Sequence, residues 1–183
     1  FTLFGSVCPV DHHFMRETSV TASAEAAIWD GTEDTSWYYR EHDVVVSENG
    51  ERIAIFNIRT AEELAGLAKL VRNGNNMKNT MINLVSDVTL NDTTNFDNWD
   101  EQPPANNWTA IGAVPIEAPN VNVVMTIQPE CRNTVFAGMF NGNGHTISGI
   151  YSLHHNYAGL FARTSGIITN VIVKDSYIQC INT

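Results

Sequence analysis

A repeated pattern near the end of the sequence constrains the fold more than any other feature. Three positions in one segment have counterparts 21 residues later in the next, the pairs being Ile147 and Ile168, Ile150 and Val171, and Ser152 and Val173. A fixed period of roughly 20 to 50 residues is typical of solenoids, whose stacked units bury a face that none buries alone. The gaps of three and then two residues fit a strand that bends and continues. The repeat therefore predicts coils of a parallel β-helix.

The segment 141–144, Asn-Gly-Asn-Gly, predicts a tight turn within this repeat. All four residues tolerate positive φ, as a corner between two strands of a coil requires. Asn-Gly between hydrophobic runs is also the strongest short-range signal for a β-hairpin. The local pattern leaves the corner and the hairpin open, and the 21-residue recurrence favours the corner.

The motifs around the repeat carry a family resemblance. Residues 136–173 read F-x-G-x-F-x-G-N-G-H-T-I-x-G-I, then G-L-F, then G-x-I-x-N-V-x-V. This order resembles the GLUG-type repeat of large secreted and surface-anchored bacterial proteins, including some immunoglobulin-cleaving metallopeptidases. Ala162 departs from it, because the family often has glycine after G-L-F. The resemblance implies a mainly β fold, a right-handed parallel β-helix of the pectin-lyase-like kind, with an N-terminal cap and one α-helix.

The chain before the repeat is expected to form the cap. The segment Trp29–Tyr38 resembles the opening W-D-G-T/S-x-D-T-S-W-Y that often precedes such repeats. Its aromatic residues predict either a plug over the end of the solenoid or a platform on which a sugar stacks, with the plug preferred because an uncapped end exposes unpaired backbone. The candidate binding residues are the aromatic side chains of Trp29, Trp37, Tyr38, Trp99 and Trp108.

One α-helix is predicted after Thr60, because Thr60-Ala-Glu-Glu63 matches a capping box. The Thr60 hydroxyl is expected to accept from the amide of Glu63, whose carboxylate reaches back. Apolar residues at helical spacing follow on one face, and Asn73-Gly74 ends the pattern. Gly66 lowers helix stability by roughly 1 kcal/mol relative to alanine, so close packing is expected there.

The predicted organisation is an N-terminal arm at 1–28, a capping region with the helix at 29–80, and β-helix coils at 81–183. Residues 113–135 interrupt the family pattern and predict an inserted strand or hairpin. A disordered leader is the alternative to the arm. Because the sequence begins with Phe1 and not Met, a mature or trimmed product is expected.

Composition excludes several partners. The 10 basic and 20 acidic residues give a net charge of −10, so nucleic acid and anionic membranes are poor partners. The sequence has no run of 18 apolar residues, so no direct membrane insertion is expected. A charged fraction of 16% with abundant Asn, Thr, Ser and Gly is common in extracellular β-rich proteins. We therefore expect the protein outside the cell or on its surface.

No cofactor is expected, although calcium is a candidate ligand of the polar loop 91–107. Its carboxylates suit a hard cation, the candidate ligands being Asp92, Asp97, Asp100 and Glu101. Their spacing does not match the D-x-D-x-D-G calcium loop, so a solvated acidic loop is the preferred interpretation.

Two covalent modifications are also candidates. The odd set of cysteines, Cys8, Cys131 and Cys180, predicts one disulfide with a leftover thiol, an intermolecular bridge, or free buried thiols. Asn91 and Asn107 begin N-x-T triplets and are glycosylation candidates.

These patterns predict a non-catalytic extracellular structural or adhesive β-solenoid module. Its partners would be copies of itself, stacked or strand-exchanged into a surface filament, or a surface carbohydrate or protein. The alternative is a polysaccharide-cleaving lyase or glycosidase, using carboxylates such as Asp87 and Asp175 with Arg163 or Lys174. Because no carboxylates of the predicted coils, residues 81–183, recur at the 21-residue spacing, no catalytic residue is assigned.

Overall fold

The computed structural model describes residues 27–113, 134–154 and 157–180. These residues form ten strands, one α-helix and two 3-10 helices, at Ser36–Tyr39 and Thr93–Asn98. The regular elements, in chain order, are β1 Asp43–Val46, β2 Arg52–Ile58, α1 Ala61–Arg72, β3 Thr80–Leu84, β4 Val88–Thr89, β5 Met139–Asn141, β6 Thr146–Ser148, β7 Tyr151–His154, β8 Ile167–Thr169, β9 Ile172–Lys174 and β10 Tyr177–Cys180.

The predicted right-handed parallel β-helix is wrong. The described strands form separate sheets of five, three and two strands, and none of these is a closed or solenoid sheet. The largest has the order β1-β2-β3-β5-β8 and is mixed, because β1 runs antiparallel to β2 while its other pairs are parallel. A hairpin thus forms its first edge, and α1 takes up the connection from β2 to β3. The first strands therefore do not follow the repeated course that the C-terminal segments suggested.

The 21-residue alignment is also wrong. Ile147 pairs with Val173, 26 residues later, and Ile168 pairs with Phe140, 28 residues earlier. The alignment had matched β6 with β8, which lie in different sheets. Apolar residues recur at short intervals in these strands, so an alignment that matches strands of two different sheets still looks regular. Only the backbone pairing decides the register.

The turn at 141–144 is a corner, as preferred, and not a hairpin. It joins β5 of the five-stranded sheet to β6 of the three-stranded sheet, whose order is β4-β6-β9. Asn143 and Gly144 have φ of 51° and 76°, the left-handed conformation that asparagine and glycine tolerate. The chain then continues into β7, which pairs in parallel with β10.

The helix prediction is confirmed by α1, with one difference in its cap. The Thr60 hydroxyl accepts from the amide of Glu63 at 3.2 Å, but the Glu63 carboxylate accepts from the amide of Arg59, at 2.7 Å, and so reaches one residue beyond the box. The close packing at Gly66 is also confirmed, because a Cβ there would lie 1.9 Å from the backbone oxygen of Asp34.

One apolar core joins α1 to the five-stranded and three-stranded sheets. Its strand residues form a row across the five-stranded sheet. Phe56, Ile82 and Phe140 occupy paired positions on β2, β3 and β5, and all three are buried. Trp37 ties the segment before β1 to the helix, because its Nε1 donates to the carbonyl oxygen of Glu63 at 3.0 Å. The core therefore extends from α1 across β2 and β3 to β5.

The predicted N-terminal arm and the inserted strand or hairpin lie almost wholly outside the described residues, which omit 1–26 and 114–133. Within the described part of the chain, no helix is long and apolar enough to cross a membrane.

Candidate functional site

The candidate site is the place where all three sheets stop. In the five-stranded sheet, Ile168 of β8 pairs with the fully buried Phe140 but is itself 37% exposed. In the three-stranded sheet, Val173 of β9 pairs with the fully buried Ile147 and is 42% exposed. The inward positions are thus covered until the last strand and then become accessible.

The two-stranded sheet ends in the same way. Ser152 of β7 is buried, whereas its partner Ile178 on β10 is 47% exposed. We call this surface the open end and define it by its exposed aliphatic side chains, Ile167, Ile168, Ile172, Val173 and Ile178. Full burial of an exposed aliphatic side chain stabilises by roughly 1.5–3 kcal/mol, so a contact that covers these side chains, which are 37% to 57% exposed, would gain part of that amount from each.

The opposite edge of the five-stranded sheet is β1. Its residues Val44, Val45 and Val46 are all exposed. Residues 41–52 around it carry four acidic side chains and one basic one, all of them exposed. This edge, like the open end, combines accessible aliphatic side chains with an unpaired side of a strand within the described residues.

The predicted aromatic binding residues lie in or against the core. Trp29, Trp37, Trp99 and Trp108 are all buried, and Tyr38 is partly buried against the core. The rings pack on one another, for example Trp29 on Trp108 with centroids 5.8 Å apart. The accessible aromatic ring in this region is that of Tyr39, which is 77% exposed. Sugar binding by these residues stays a prediction.

An open cleft of about 290 Å³ lies beside Trp37 and β2. His42 packs on Phe56 at its wall, with ring centroids 4.4 Å apart. Arg40 bonds the Glu63 carboxylate at 2.9 Å and lies 3.6 Å from Asp34, so its charge is already matched. The cleft is polar and open, and Arg40, one of the two arginines that line it, is engaged in ion pairs within the capping region.

The acidic loop uses its carboxylates locally. Asp92 caps the 3-10 helix at Thr93–Asn98, accepting from the amide of Thr94 at 3.0 Å and from its hydroxyl, and these bonds lower the pKa of Asp92. Asp100 accepts from the amide of Glu101 at 3.0 Å. Among residues 27–113, 134–154 and 157–180, no group of three or more His, Cys, Asp or Glu could hold a metal ion. Calcium binding at Asp92, Asp97, Asp100 and Glu101 stays a prediction.

The two glycosylation candidates differ sharply in access. Asn91 is 2% exposed, and its Nδ2 donates to the carbonyl oxygens of Asn106 and Gly149, both at 2.9 Å. The fold leaves no room for a glycan on that nitrogen. Asn107 is exposed, and the bond that it makes, from the amide of Leu153 at 3.3 Å, uses only its side-chain oxygen. Glycosylation at Asn107 stays a prediction.

The disulfide candidates are only partly described. Cys180 lies exposed on β10 at the edge of the two-stranded sheet. Cys8 and Cys131 lie outside the described residues, so the pairing stays a prediction.

Asp87, a candidate in the enzyme alternative, holds two sheet segments together. Its carboxylate accepts from the amide of Thr146 at 2.9 Å and lies 3.1 Å from His145. These contacts, the Thr146 bond first, lower the pKa of Asp87 below its ordinary value. The carboxylate is therefore ionised and bonded at neutral pH.

Asparagine side chains form hydrogen bonds between neighbouring segments that the sequence patterns did not predict. Asn57, Asn83 and Asn141 occupy paired positions on β2, β3 and β5, and Asn83 donates to Asn57 at 3.2 Å. Asn170 donates to Asn141 at 3.0 Å. The signal was the recurrence of Ile-Phe-Asn, Met-Ile-Asn and Met-Phe-Asn, which marks equivalent strands better than the 21-residue pattern does.

No family model, curated protein or solved structure matches this chain. The resemblance to GLUG-type repeats therefore rests on the quoted motifs and stays a prediction.

Proposed function

We propose that this protein is a non-catalytic structural or adhesive module that acts outside the cell and contacts another molecule through the open end. The observation that carries this proposal is that three sheets stop together with inward side chains, Ile168, Val173 and Ile178, accessible. Aliphatic side chains beside edge strands form an apolar contact surface, and the strand edges are a template for further pairing.

The state of the carboxylates supports a structural role. Asp30, Asp34, Asp87 and Asp92 each accept from a backbone amide, and each has a lowered pKa. A general acid or base works best when its pKa lies near the operating pH. Carboxylates that are held ionised by turns and caps are poorly suited to that work, which weighs against polysaccharide cleavage.

Composition and surface chemistry support a location outside the cell. The chain has a low charged fraction of 16% and a net charge of −10. The glycosylation triplet at Asn107 is exposed. The motif resemblance to repeats of secreted and surface-anchored bacterial proteins points the same way.

Incubation with a panel of neutral and anionic polysaccharides tests the non-catalytic part of the proposal. Retention on immobilised polysaccharide, or self-association, is expected without release of reducing ends or unsaturated products, with calcium or without it. The acid-unfolded protein is the control for nonspecific retention. Cleavage that disappears in Arg163→Ala or Lys174→Ala would establish the enzyme instead.

A further inference from the structure

We propose that the open end binds a second copy of this chain, whose β1 pairs with β8, so that copies join head to tail. This inference rests on the proposed function and names the partner of the open end.

Strands β1 and β8 are the two edges of one sheet. The order β1-β2-β3-β5-β8 places them at opposite sides. Both edges present exposed aliphatic residues, Val44 to Val46 on β1 and Ile167 with Ile168 on β8. Pairing of one with the other would extend the sheet from copy to copy and cover the inward position of Ile168. Such a contact joins two different surfaces, so it repeats in an open series.

The two surfaces also differ in charge. Residues 41–52 around β1 carry four acidic and one basic residue, a formal charge of −3. Residues 134–180, which include the open end, carry Arg163 and Lys174 against Asp175, a formal charge of +1 in a chain whose net charge is −10. A head-to-tail contact sets opposite charges together, whereas contact between two open ends, or between two β1 edges, sets like charges together.

Three lysine substitutions on exposed side chains test this geometry. Val45→Lys blocks β1, Ile168→Lys blocks β8, and Val85→Lys is a matched control on the exposed Val85 between β3 and β4. A lysine on an edge strand disfavours strand addition while its stem still covers apolar surface. Reductant is present throughout, because Cys180 is exposed on β10. Light scattering and sedimentation velocity report mass over a wide concentration range.

The expected result is a mass that rises with concentration past the dimer for the wild type and for Val85→Lys. Each blocked variant alone loses association by at least about tenfold. Because Val45→Lys retains a working β8 and Ile168→Lys a working β1, an equimolar mixture of the two should stop at the dimer.

Three results would overturn the inference. The first is a wild-type monomer at every concentration, as expected if another part of the chain covers the open end. The second is association of Val45→Lys equal to that of the wild type, as expected if open ends meet each other, and the third is a loss of association in Val85→Lys equal to that of the blocked variants. Ile167→Lys, on the same strand β8, replaces Ile168→Lys if circular dichroism shows that the latter misfolds. A monomer that binds polysaccharide without cleaving it leaves the proposed function standing. Cleavage of the polysaccharide would refute the proposed function, whatever the molecular mass of the protein in solution.

Discussion

Replacing Asn91 by aspartate would test the buried side-chain amide of Asn91. This amide joins the end of β4, the loop after it and the connection at Gly149 between β6 and β7. The Nδ2 of Asn91 donates to the carbonyl oxygens of Asn106 and Gly149, both at 2.9 Å, and its Oδ1 accepts from the Asn106 amide at 3.0 Å. Aspartate keeps the shape and the acceptor but sets an oxygen against the two carbonyls. The buried carbonyl of Gly149 and the partly buried carbonyl of Asn106 then lose their donor. An unsatisfied buried acceptor costs about 1–3 kcal/mol and a partly buried one less, so we expect a loss of about 2–4 kcal/mol near neutral pH.

The loss of stability in Asn91→Asp is also expected to depend on pH. Burial and the two facing carbonyls disfavour the charged form, so the pKa of the new carboxyl in the folded protein is raised above its unfolded value of about 4. A raised carboxyl pKa means that the folded state holds the proton more tightly. The variant's deficit relative to wild type is therefore smallest in acid and grows as the pH rises toward the folded pKa.

Urea denaturation of wild type and variant at about pH 5 and about pH 7 measures both effects. The control is Asn107→Asp at the neighbouring exposed asparagine, which should change the free energy of unfolding by less than about 0.5 kcal/mol. A variant at Asn91 as stable as the wild type at neutral pH, or a deficit that does not depend on pH, would refute the assignment of the amide as a double donor.

Three further substitutions test the cap and the sheet junction. Gly66→Ala should lower the free energy of unfolding by about 1–3 kcal/mol, although alanine is the better helix former, because its Cβ would overlap the carbonyl oxygen of Asp34. Thr60→Ala should cost about 1 kcal/mol by removing the helix cap, measured by urea denaturation. Asp87→Asn should make stability less sensitive to acid: the lowered pKa of Asp87 contributes stability above the unfolded carboxyl value, and acidification through the lowered folded value removes it.

Each of the three has an outcome that contradicts it. A stabilised Gly66→Ala would mean that helix propensity outweighs the contact with Asp34. Thr60→Ser retains the hydroxyl, so it should lose less stability than Thr60→Ala if the cap is the reason. An acid denaturation curve of Asp87→Asn that coincides with the wild-type curve would show that Thr146 and His145 do not hold that carboxylate.

Features encoded within a few residues could be predicted. The cap at Thr60 and the apolar face that follows it lie within a dozen residues, and α1 forms there. A tight turn at 141–144 could be predicted because its residues tolerate positive φ, which Asn143 and Gly144 adopt. The choice of a corner over a hairpin rested on the 21-residue recurrence, which the strand pairing does not follow. The close approach at Gly66 was anticipated because a glycine within a good helix pattern needs a reason.

The candidate site depended on long-range pairing and could not be predicted in the same way. The exposed aliphatic residues of β8 and β9 look, in the sequence, like those of the buried strands before them. Only the pairing of Phe140 with Ile168 and of Ile147 with Val173 shows that one residue of each pair is covered and the other accessible. The buried role of Asn91 was missed for the same reason, because its partners include Gly149, far along the chain.

By itself, the sequence determined the helix, the tight turn at 141–144 and the aliphatic character of the strands, since propensity, capping and turn chemistry act between neighbouring residues. The tertiary structure alone decided that strands 26 and 28 residues apart pair, that they divide among three sheets, and that the last strand of each sheet is left accessible. The reason is that many strand registers satisfy the same alternation of side chains, and only the packing of the whole chain selects among them.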